Sequence, residues 1–275
     1  MKIVLSIKRT LLGLLWRADE LLPRTVAIWV RNRALPWRPV LDTVEIHLAD
    51  TCNLNCRGCL HFSPFCKPHV AGVAEVEADL RLVLDKFVAV RHVHLLGGEP
   101  LLNGRCAEIL RAVRKLCPDT RLSLVTNGLL LLRQDDAFWA AARETRTMLD
   151  MTRYPVMAEE TAAEIGRKCR DEGVRLRVTV CEGFMDKTLP AGTADPGRSF
   201  KACRRTQYCP YLRDGRLYPC ATAYHVAEGL AGVARDPGIS VKDNSARAIL
   251  RYLQSPSAVC RYCREDPPLV DWRRT

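Results

Sequence analysis

The chain has 275 residues, of which 48% are hydrophobic and 27% charged, so it can bury a full core and is not expected to be disordered. It has no run of about 18 apolar residues, which excludes a predicted transmembrane helix. Its 42 basic and 31 acidic residues give a net charge of +11, which favours anionic partners. The basic residues are scattered, however, and no nucleic-acid partner is expected.

Thirteen cysteines are the unusual feature of the composition. The count is odd, and a chain of this size has a core without the help of disulfides. The apolar run at residues 11–16 is flanked by Lys8, Arg9 and Arg17 and precedes no secretory cleavage site. We therefore expect a cytoplasmic protein whose thiolates bind metal, with a few cysteines buried as free thiols.

Residues 1–40 mix apolar and basic side chains and predict an amphipathic helical extension. The prolines Pro36 and Pro39 end it, because proline cannot continue a helix. The apolar face of such a helix packs on the body of the protein or makes peripheral contact with a membrane.

Strand-like and helix-like segments alternate between residues 43 and 181. This alternation is typical of right-handed βαβ units and predicts a parallel sheet, either open or curled into a barrel. The predicted strands are Thr43–Leu48, His92–Leu96, Arg121–Thr126, Thr147–Met151 and Val174–Cys181. The predicted helices are Val73–Val90, Gly104–Leu116, Asp135–Glu144 and Ala158–Glu172.

The pattern within the strands favours the curled sheet. Strands covered by helices on both faces are near-continuous apolar runs, whereas here polar side chains repeatedly share one face. Such a face is typical of a polar lumen. The alternative is that some of these side chains lie beyond the strand ends. The candidate lumen residues are Glu45, His47, His94, Asp150 and Arg177.

Residues 186–275 have a different pattern and predict a second, smaller unit. Leu189–Gly197 is rich in proline, glycine and aspartate, as linkers are. A β-hairpin is predicted from Tyr208–Leu212 and Arg216–Tyr218 around Asp214-Gly215, followed by a helix at Asn244–Gln254. Five of the residues between 203 and 263 are cysteines, which indicates a core held together by metal.

The loop after the first predicted strand contains Cys52, Cys56 and Cys59 in a C-x3-C-x2-C pattern. Three thiolates within eight residues occupy three corners of an iron–sulfur cluster and leave the fourth iron open to a ligand. A zinc site is the alternative, with His61 as the fourth ligand.

A second motif, Gly97-Gly98-Glu99-Pro100, follows the second predicted strand. Glycines at this position let the backbone approach a ligand closely, and the carboxylate of Glu99 is an acceptor for an ammonium group. Taken alone, the motif also fits a tight turn.

Together the two motifs resemble the radical S-adenosylmethionine (SAM) superfamily over about residues 44–181. The resemblance implies an α/β fold with a partial (β/α) barrel at residues 41–185. It also implies a [4Fe–4S] cluster on Cys52, Cys56 and Cys59 and radical formation from SAM, with an electron from a donor such as flavodoxin or ferredoxin. The family usually has an aromatic residue where this chain has Gly58. The SAM-contacting residues expected from the resemblance and the lumen pattern are Gly97, Gly98, Glu99, Pro100, Asn127 and Asp150.

The second unit resembles the Twitch domain, a β-hairpin and helix around a second iron–sulfur cluster. This similarity implies an auxiliary [4Fe–4S] cluster within residues 186–275. Cys209 is an alternative to the first of its ligands, and a structural zinc site is the alternative to the cluster. The implied ligands are Cys203, Cys220, Cys260 and Cys263.

Small Twitch proteins of this family resemble epimerases and dehydrogenases that act on amino sugars and aminocyclitols in antibiotic biosynthesis. Such a polyhydroxylated small molecule is the expected substrate. Peptide modification is an alternative, although Met1–Leu35 is too short and basic for a leader-binding domain. A binding protein stapled by metal, without catalysis, is the remaining alternative.

The expected reaction is epimerisation with Cys181 as hydrogen donor; the alternative is oxidation of the alcohol to a ketone through the auxiliary cluster. A cysteine donor must be a thiol, which apolar burial favours. Cys66 is the second candidate donor, and Cys181 is equally compatible with a packing role. The other candidate catalytic residues are Arg177, His94, His47 and Glu45, and the cysteines expected to pack in helices are Cys106, Cys117 and Cys169.

Overall fold

A computed structural model describes residues 39–203 and 209–275. Nearly all of the helical extension predicted for residues 1–40 lies outside the described residues, as does Tyr208 of the predicted hairpin. Within the described ranges, no helix combines the length and the apolar character needed to cross a membrane.

An eight-stranded sheet forms the centre of the fold, in the order β5-β4-β3-β2-β1-β7-β8-β9. Strands β1 to β5 and β7 are parallel, and β8 and β9 continue the sheet antiparallel. The expected α/β fold with a mostly parallel sheet is therefore confirmed. Strands β6 and β10 form a separate antiparallel pair. The strands are β1 (Leu41–Ala49), β2 (Val90–Gly97), β3 (Arg121–Thr126), β4 (Met148–Arg153), β5 (Arg175–Val180), β6 (Gly183–Met185), β7 (Tyr211–Arg213), β8 (Arg216–Tyr218), β9 (Ile239–Ser240) and β10 (Leu269–Asp271).

Helices follow the first four strands, as the alternation predicts. Side-chain caps fix several starts: Asp135 accepts a hydrogen bond from the N–H of Phe138, and Ser245 accepts one from Ala248. The α-helices are α1 (Val73–Lys86), α2 (Cys106–Leu116), α3 (Asp136–Glu144), α4 (Glu159–Asp171), α5 (Pro196–Ala202), α6 (Ala221–Gly229) and α7 (Ala246–Leu253). Short 3₁₀ turns cover Pro100–Leu102, Leu131–Arg133 and Ala258–Tyr262.

Helix α1 ends four residues before the predicted end at Val90. Phe87 is fully buried with extended backbone angles (φ −104°, ψ 147°), so the chain leaves the helix there. Val90 instead begins β2 and pairs with Leu41 of β1. The apolar periodicity that predicted a longer helix thus continues into the next strand.

The main core lies between one face of the sheet and the helices that follow the strands. Val44, Ile46 and Leu48 of β1 point to this face, and all three are buried. Because side chains alternate along a strand, Glu45 and His47 point to the opposite face. Other core residues include Leu80, Val83, Val93, Leu95, Ile109, Leu124, Trp139, Leu149 and Ile165.

Strand β5 is the exposed edge of the sheet. The alternation predicts that its apolar residues pack under a helix, but Val178 is 45% and Val180 50% exposed. Only the beginning of the strand is covered: Val174 is buried and Leu176 packs against the core. The packing expected for the second half of this strand is not observed, because no described element covers it.

The predicted Asp214-Gly215 hairpin forms, and it extends the central sheet. Both turn residues have positive φ (52° and 69°), which suits a tight hairpin turn. Strand β7 pairs with β1 at Glu45 and Tyr211, and the N–H of Glu45 donates to Pro210 O at 2.8 Å. The sheet is therefore continuous across the predicted boundary between residues 185 and 186.

The turn is also tied to helix α1 through Asp79, whose Oδ1 accepts the N–H of Gly215 at 2.6 Å. Burial raises the pKa of Asp79 to about 6, with the charges of Asp214 and Glu75 adding to the effect and the hydrogen bond opposing it. An unfolded aspartate has a pKa of about 3.9, so the folded state binds more protons between these values.

We expect the substitution Asp79→Asn to remove a pH dependence of stability. Stability from a raised carboxyl pKa is present at low pH and is lost as pH rises through the folded pKa. The stability of the variant relative to wild type should therefore increase by about 2 kcal/mol between pH 4 and pH 7 in urea unfolding. Asp85→Asn, at an exposed position of the same helix, is the control. Parallel curves for wild type and Asp79→Asn would contradict this assignment.

Candidate active site with two cysteine centres

The three cysteines of the first motif lie on the loop directly after β1. Leu54, 1% exposed, anchors this loop, and Asn55 and Gly58 have positive φ angles (50° and 76°) that fold it back tightly. The thiols lie close enough for the charges of Cys52, Cys56 and Cys59 to influence one another.

Donors point at the sulfur atoms of this loop. Cys52 Sγ accepts the N–H of Leu54 at 3.4 Å, and Cys56 Sγ accepts the indole N–H of Trp272 at 3.1 Å. Burial raises the pKa of both thiols, that of Cys56 to about 11, while these hydrogen bonds oppose the rise. Metal binding at such thiols releases protons, and the N–H donors then stabilise the thiolates. Three neighbouring thiols, two of them with directed N–H donors, fit an iron–sulfur cluster.

The glycines of the second motif face the chain before the cysteine loop. A Cβ on Gly97 would lie 2.0 Å from Ala49 O, and one on Gly98 would lie 2.2 Å from Thr51 O. The N–H of Gly98 donates to Ala49 O at 2.8 Å, and that of Glu99 donates to Thr51 O at 2.9 Å. The close approach expected of these glycines is thus made to β1 and the start of the cysteine loop.

Glu99 is fully buried and joins the ends of β2 and β3. Its carboxylate accepts hydrogen bonds from Thr126 Oγ1 at 2.6 Å, the N–H of Asn127 at 2.9 Å and the N–H of Leu101 at 3.1 Å. Pro100, which the resemblance also places at the cofactor, is buried and begins the 3₁₀ turn after it. Three protein donors already occupy the carboxylate expected to bind the SAM ammonium group.

Asn127 connects the end of β3 to the cysteine loop. Its amide nitrogen donates to Asn53 Oδ1 at 2.7 Å and lies 3.7 Å from Cys52 Sγ, while its oxygen accepts the N–H of Leu129. This predicted cofactor-binding residue therefore lies at the first cysteine centre.

An aromatic group beside the first centre was not predicted. The rings of Tyr154 and Trp272 are 5.7 Å apart and those of Tyr154 and Phe184 are 6.4 Å apart. Phe184 lies 3.9 Å from the position of a Cβ on Gly58, where the resembling family usually has an aromatic residue. The three come from distant segments, so only the unusual Gly58 hints at them in the sequence.

Cys181 lies at the same end of the sheet, after β5. It is close enough to Cys56 and Tyr154 for its ionised form to raise the pKa of both groups, so it lies on the side of the first centre. Its Sγ donates to Gly183 O at 3.2 Å, and burial raises its pKa. It is therefore a thiol at neutral pH, as a hydrogen donor requires.

The lumen candidates form two pairs on the face opposite the helices. Glu45 and His94 are direct register neighbours on β1 and β2. Asp150 and Arg177 are register neighbours on β4 and β5. The guanidinium of Arg177 donates hydrogen bonds from two nitrogens to the Asp150 carboxylate, with Nε 2.9 Å from Oδ1. The Arg177 side chain is 61% exposed, so this pair faces solvent.

His47, the remaining lumen candidate, belongs to a buried network that sequence reasoning missed. Its Nδ1 lies 3.0 Å from Asp50 Oδ1, and its Nε2 lies 2.8 Å from His61 Nδ1. His225 of α6 stacks on His47 with ring centres 4.9 Å apart, and its Nδ1 lies 3.4 Å from Cys66 Sγ. These residues come from three separated segments, so no local sequence pattern predicts the network.

The network contains one ion pair, between Asp50 and Arg213, and the imidazole rings of His47 and His225, which burial keeps neutral. Burial lowers the pKa of His47 and lowers that of His225 to about 3. Burial opposes ionisation of Asp50, but the hydrogen bond from His47 and the charge of Arg213 outweigh it and lower its pKa to about 2. His47, Asp50 and His225 each offer one atom within 4.8 Å of the others. The two imidazoles are parallel within 11°, however, so their lone pairs do not converge on one ion.

Four cysteines of the C-terminal half line one cavity. Cys203 ends α5, Cys220 precedes α6, and Cys260 and Cys263 lie on and just after a 3₁₀ turn. All four contribute to the cavity wall, together with apolar residues such as Leu60 and Val259. Four thiols on the wall of one cavity, which the carboxylate of Glu265 also lines, fit a metal centre held by protein ligands.

Burial raises the pKa of Cys260, and raises that of Cys263 to about 12, with the neighbouring thiols adding to the effect. The described wall of the cavity does not include Cys209, the alternative ligand. Cys106, Cys117 and Cys169 are all buried, in agreement with their expected packing role.

The family model of the radical SAM superfamily matches residues 46–193. The chain belongs to the radical SAM superfamily. Membership implies SAM and a [4Fe–4S] cluster.

Curated relatives include GTP 3′,8-cyclase 1 of Mycobacterium tuberculosis (strain ATCC 25618 / H37Rv), 29% identical over 160 residues, which is 55% of this chain and 43% of that protein. GTP 3′,8-cyclase of Microcystis aeruginosa (strain NIES-843 / IAM M-2473) is 37% identical over 101 residues, covering 33% and 29% of the two chains. This chain thus spans less than half the length of these relatives.

Two solved structures share the fold. BtrN in complex with AdoMet and 2-DOIA has a TM-score of 0.54 at 15% identity, covering 82% of this chain and 94% of that one. Native anSMEcpe with bound AdoMet and Cp18Cys peptide has a TM-score of 0.53 at 13% identity, covering 82% of both chains. At these identities the likeness extends to the fold alone.

We expect Glu99→Gln to destabilise the protein by about 1–3 kcal/mol, because an amide nitrogen would replace one of two buried oxygens that accept hydrogen bonds. Chemical unfolding measures the effect. Glu108→Gln is the control, since the Glu108 side chain is 58% exposed. Equal stability of Glu99→Gln and wild type would show that the three hydrogen bonds do not hold the strand ends together.

Proposed function

We propose that this radical SAM enzyme epimerises a carbinol carbon of a small hydroxylated substrate of the amino-sugar or aminocyclitol type. The supporting observation is the second centre: Cys203, Cys220, Cys260 and Cys263 surround one cavity, in addition to the cysteine loop after β1. This pattern agrees with a Twitch unit in residues 186–275 and a partial barrel in residues 41–185. The free thiols suit a cytoplasmic location.

Cys52, Cys56 and Cys59 would hold the SAM-binding [4Fe–4S] cluster, and the four cysteines of the second cavity would hold the auxiliary one. When reduced by one electron from a flavodoxin- or ferredoxin-like donor, the first cluster and SAM supply a 5′-deoxyadenosyl radical. We propose that the SAM site is lined by Gly97–Pro100, Asn127 and Asp150. Gly97–Pro100 lies at the end of β2 and Asn127 at the end of β3, both beside the cysteine loop.

Cys181 is proposed to complete the reaction. Once a carbinol hydrogen has been abstracted, the S–H bond of Cys181 breaks and a C–H bond forms on the opposite face of the substrate carbon. The resulting sulfur radical regains its thiol by taking up one electron from the donor protein and one proton. The location of Cys181 beside Cys56 and its raised pKa support this role.

The lumen pairs are proposed to bind the substrate. Glu45 and His94 lie side by side and suit a hydroxyl group, because a carboxylate and an imidazole accept or return its proton. Arg177 remains largely exposed despite its pairing with Asp150, so it is available to an anionic group of SAM or substrate.

Iron content tests the two centres. After anaerobic reconstitution we expect about eight irons per chain in wild type and about four in a Cys52/Cys56/Cys59→Ala variant, with 5′-deoxyadenosine formed only by wild type. Cys117→Ala, at a buried helix-end cysteine, is the control and should keep all eight. About four irons in wild type and none in the triple variant would refute the auxiliary cluster. A protein that never yields 5′-deoxyadenosine would instead be a metal-stapled binding protein.

Turnover in deuterated water tests the hydrogen donor. Screening begins with amino sugars and aminocyclitols and includes GTP and peptides, given the names of the relatives and structural neighbours. Wild type should incorporate solvent deuterium at the inverted carbon, and Cys181→Ala should lose the epimer and form ketone. Cys66→Ala is the matched control, because Cys66 is the second candidate donor. An unchanged deuterated epimer from Cys181→Ala would remove Cys181 from the mechanism, and ketone from wild type would identify a dehydrogenase.

A further inference from the structure

The segment 269–275, called the strap below, crosses over the first cysteine loop. Strand β10 at its start pairs with β6. Further along, the N–H of Arg57 donates to Arg273 O at 2.8 Å, and the N–H of Thr275 donates to Asn55 O at 2.8 Å. The hydroxyl of Thr275 donates to the same Asn55 oxygen at 3.0 Å. Pairing with β6 before Trp272 and backbone hydrogen bonds to the cysteine loop after it therefore fix the strap in place.

This arrangement aims the indole of Trp272 at Cys56. Its Nε1 lies 3.1 Å from Cys56 Sγ, and its ring packs 5.7 Å from that of Tyr154. Cys56 is only 7% exposed, so water competes little for this hydrogen bond. Cys52 has a side-chain donor at the longer distance of 3.7 Å, from Asn127. The contact from Trp272 is thus the shorter of these two side-chain contacts to the loop sulfurs.

We propose that Trp272 is a positioning residue that sets the reduction potential of the cluster on Cys52, Cys56 and Cys59. The inference rests on the proposed ligand role of these cysteines. Reduction adds one electron and hence negative charge, part of which falls on the ligand sulfurs. An N–H donor directed at a sulfur stabilises this charge and makes the cluster easier to reduce.

The test is a redox titration of the reconstituted holoenzyme, followed by electron paramagnetic resonance of the reduced cluster. Trp272→Phe keeps an aromatic ring beside Tyr154 and removes the N–H, so its potential should shift to a more negative value. Trp139→Phe is the matched control: the indole nitrogen of Trp139 is buried and has no hydrogen-bond partner among the described residues. The potential of that variant should equal the wild-type value.

A second control separates the N–H from the position of the strap. Thr275→Val removes one strap hydrogen bond without touching the indole. Its potential should stay at the wild-type value, and a shift as large as that of Trp272→Phe would overturn the role of the N–H. Unchanged potential in Trp272→Phe would overturn it as well, and with SAM cleavage intact that result would leave the proposed function standing.

A measurement on the wild-type protein keeps the proposal testable even if Trp272→Phe fails to bind iron. In protein labelled with ¹⁵N-tryptophan, electron–nuclear double resonance of the reduced cluster should show a ¹⁵N coupling. Its absence would overturn the proposed hydrogen bond. A wild-type protein that forms no cluster on the loop would overturn both this inference and the proposed function.

Discussion

The site depends on one close backbone contact, between Gly97-Gly98 and the chain at Ala49–Thr51. A side chain at either glycine would collide with a carbonyl oxygen of that segment, at 2.0 and 2.2 Å. The contact therefore fixes the end of β2 against the residue that precedes the cysteine loop. Glu99, next in the chain, carries the constraint on to β3 through Thr126 and Asn127.

The result is a rigid block in which three strand ends and the cysteine loop share hydrogen bonds. Asn127 closes it, because its amide reaches Asn53 inside the loop. Preorganisation of this kind holds thiols in place before any metal arrives. The polar atoms of the block are satisfied by protein groups, so the carboxyl group of Glu99 is completely buried without losing its hydrogen bonds, although burial raises its pKa.

Local patterns account for what the sequence could predict. Apolar periodicity identifies the strands and helices, cysteine spacing identifies the first group of thiols, and the resemblance to the Twitch domain supplies the second group. The Asp214-Gly215 turn was likewise predictable, because its backbone angles restrict the residue types. The glycines of the second motif were recognised as a site of close approach, but their chemistry alone does not say whether the approaching group is a ligand or the chain itself.

Contacts between distant segments leave no such pattern. The stacking of His225 on His47 and the hydrogen bond of Trp272 to Cys56 join residues from opposite ends of the described chain. The exposure of the second half of β5 was not predicted for a related reason. Alternation shows which residues share a face of the strand, but not whether a helix is long enough to cover them. The contacts of these side chains can be identified only when the assembled sheet is known.

The pairing of β7 with β1 has a consequence for how the molecule folds. Strands β1 to β5 are joined by local βα connections, whereas Glu45 meets Tyr211 only after the whole first half has been made. Closing so long a loop carries a large entropic penalty and is slow compared with the local steps. The first cysteine loop is in turn bonded to the strap at Arg273 and Thr275, so both this loop and the wall of the second cavity are completed only after the C-terminal half of the chain has folded.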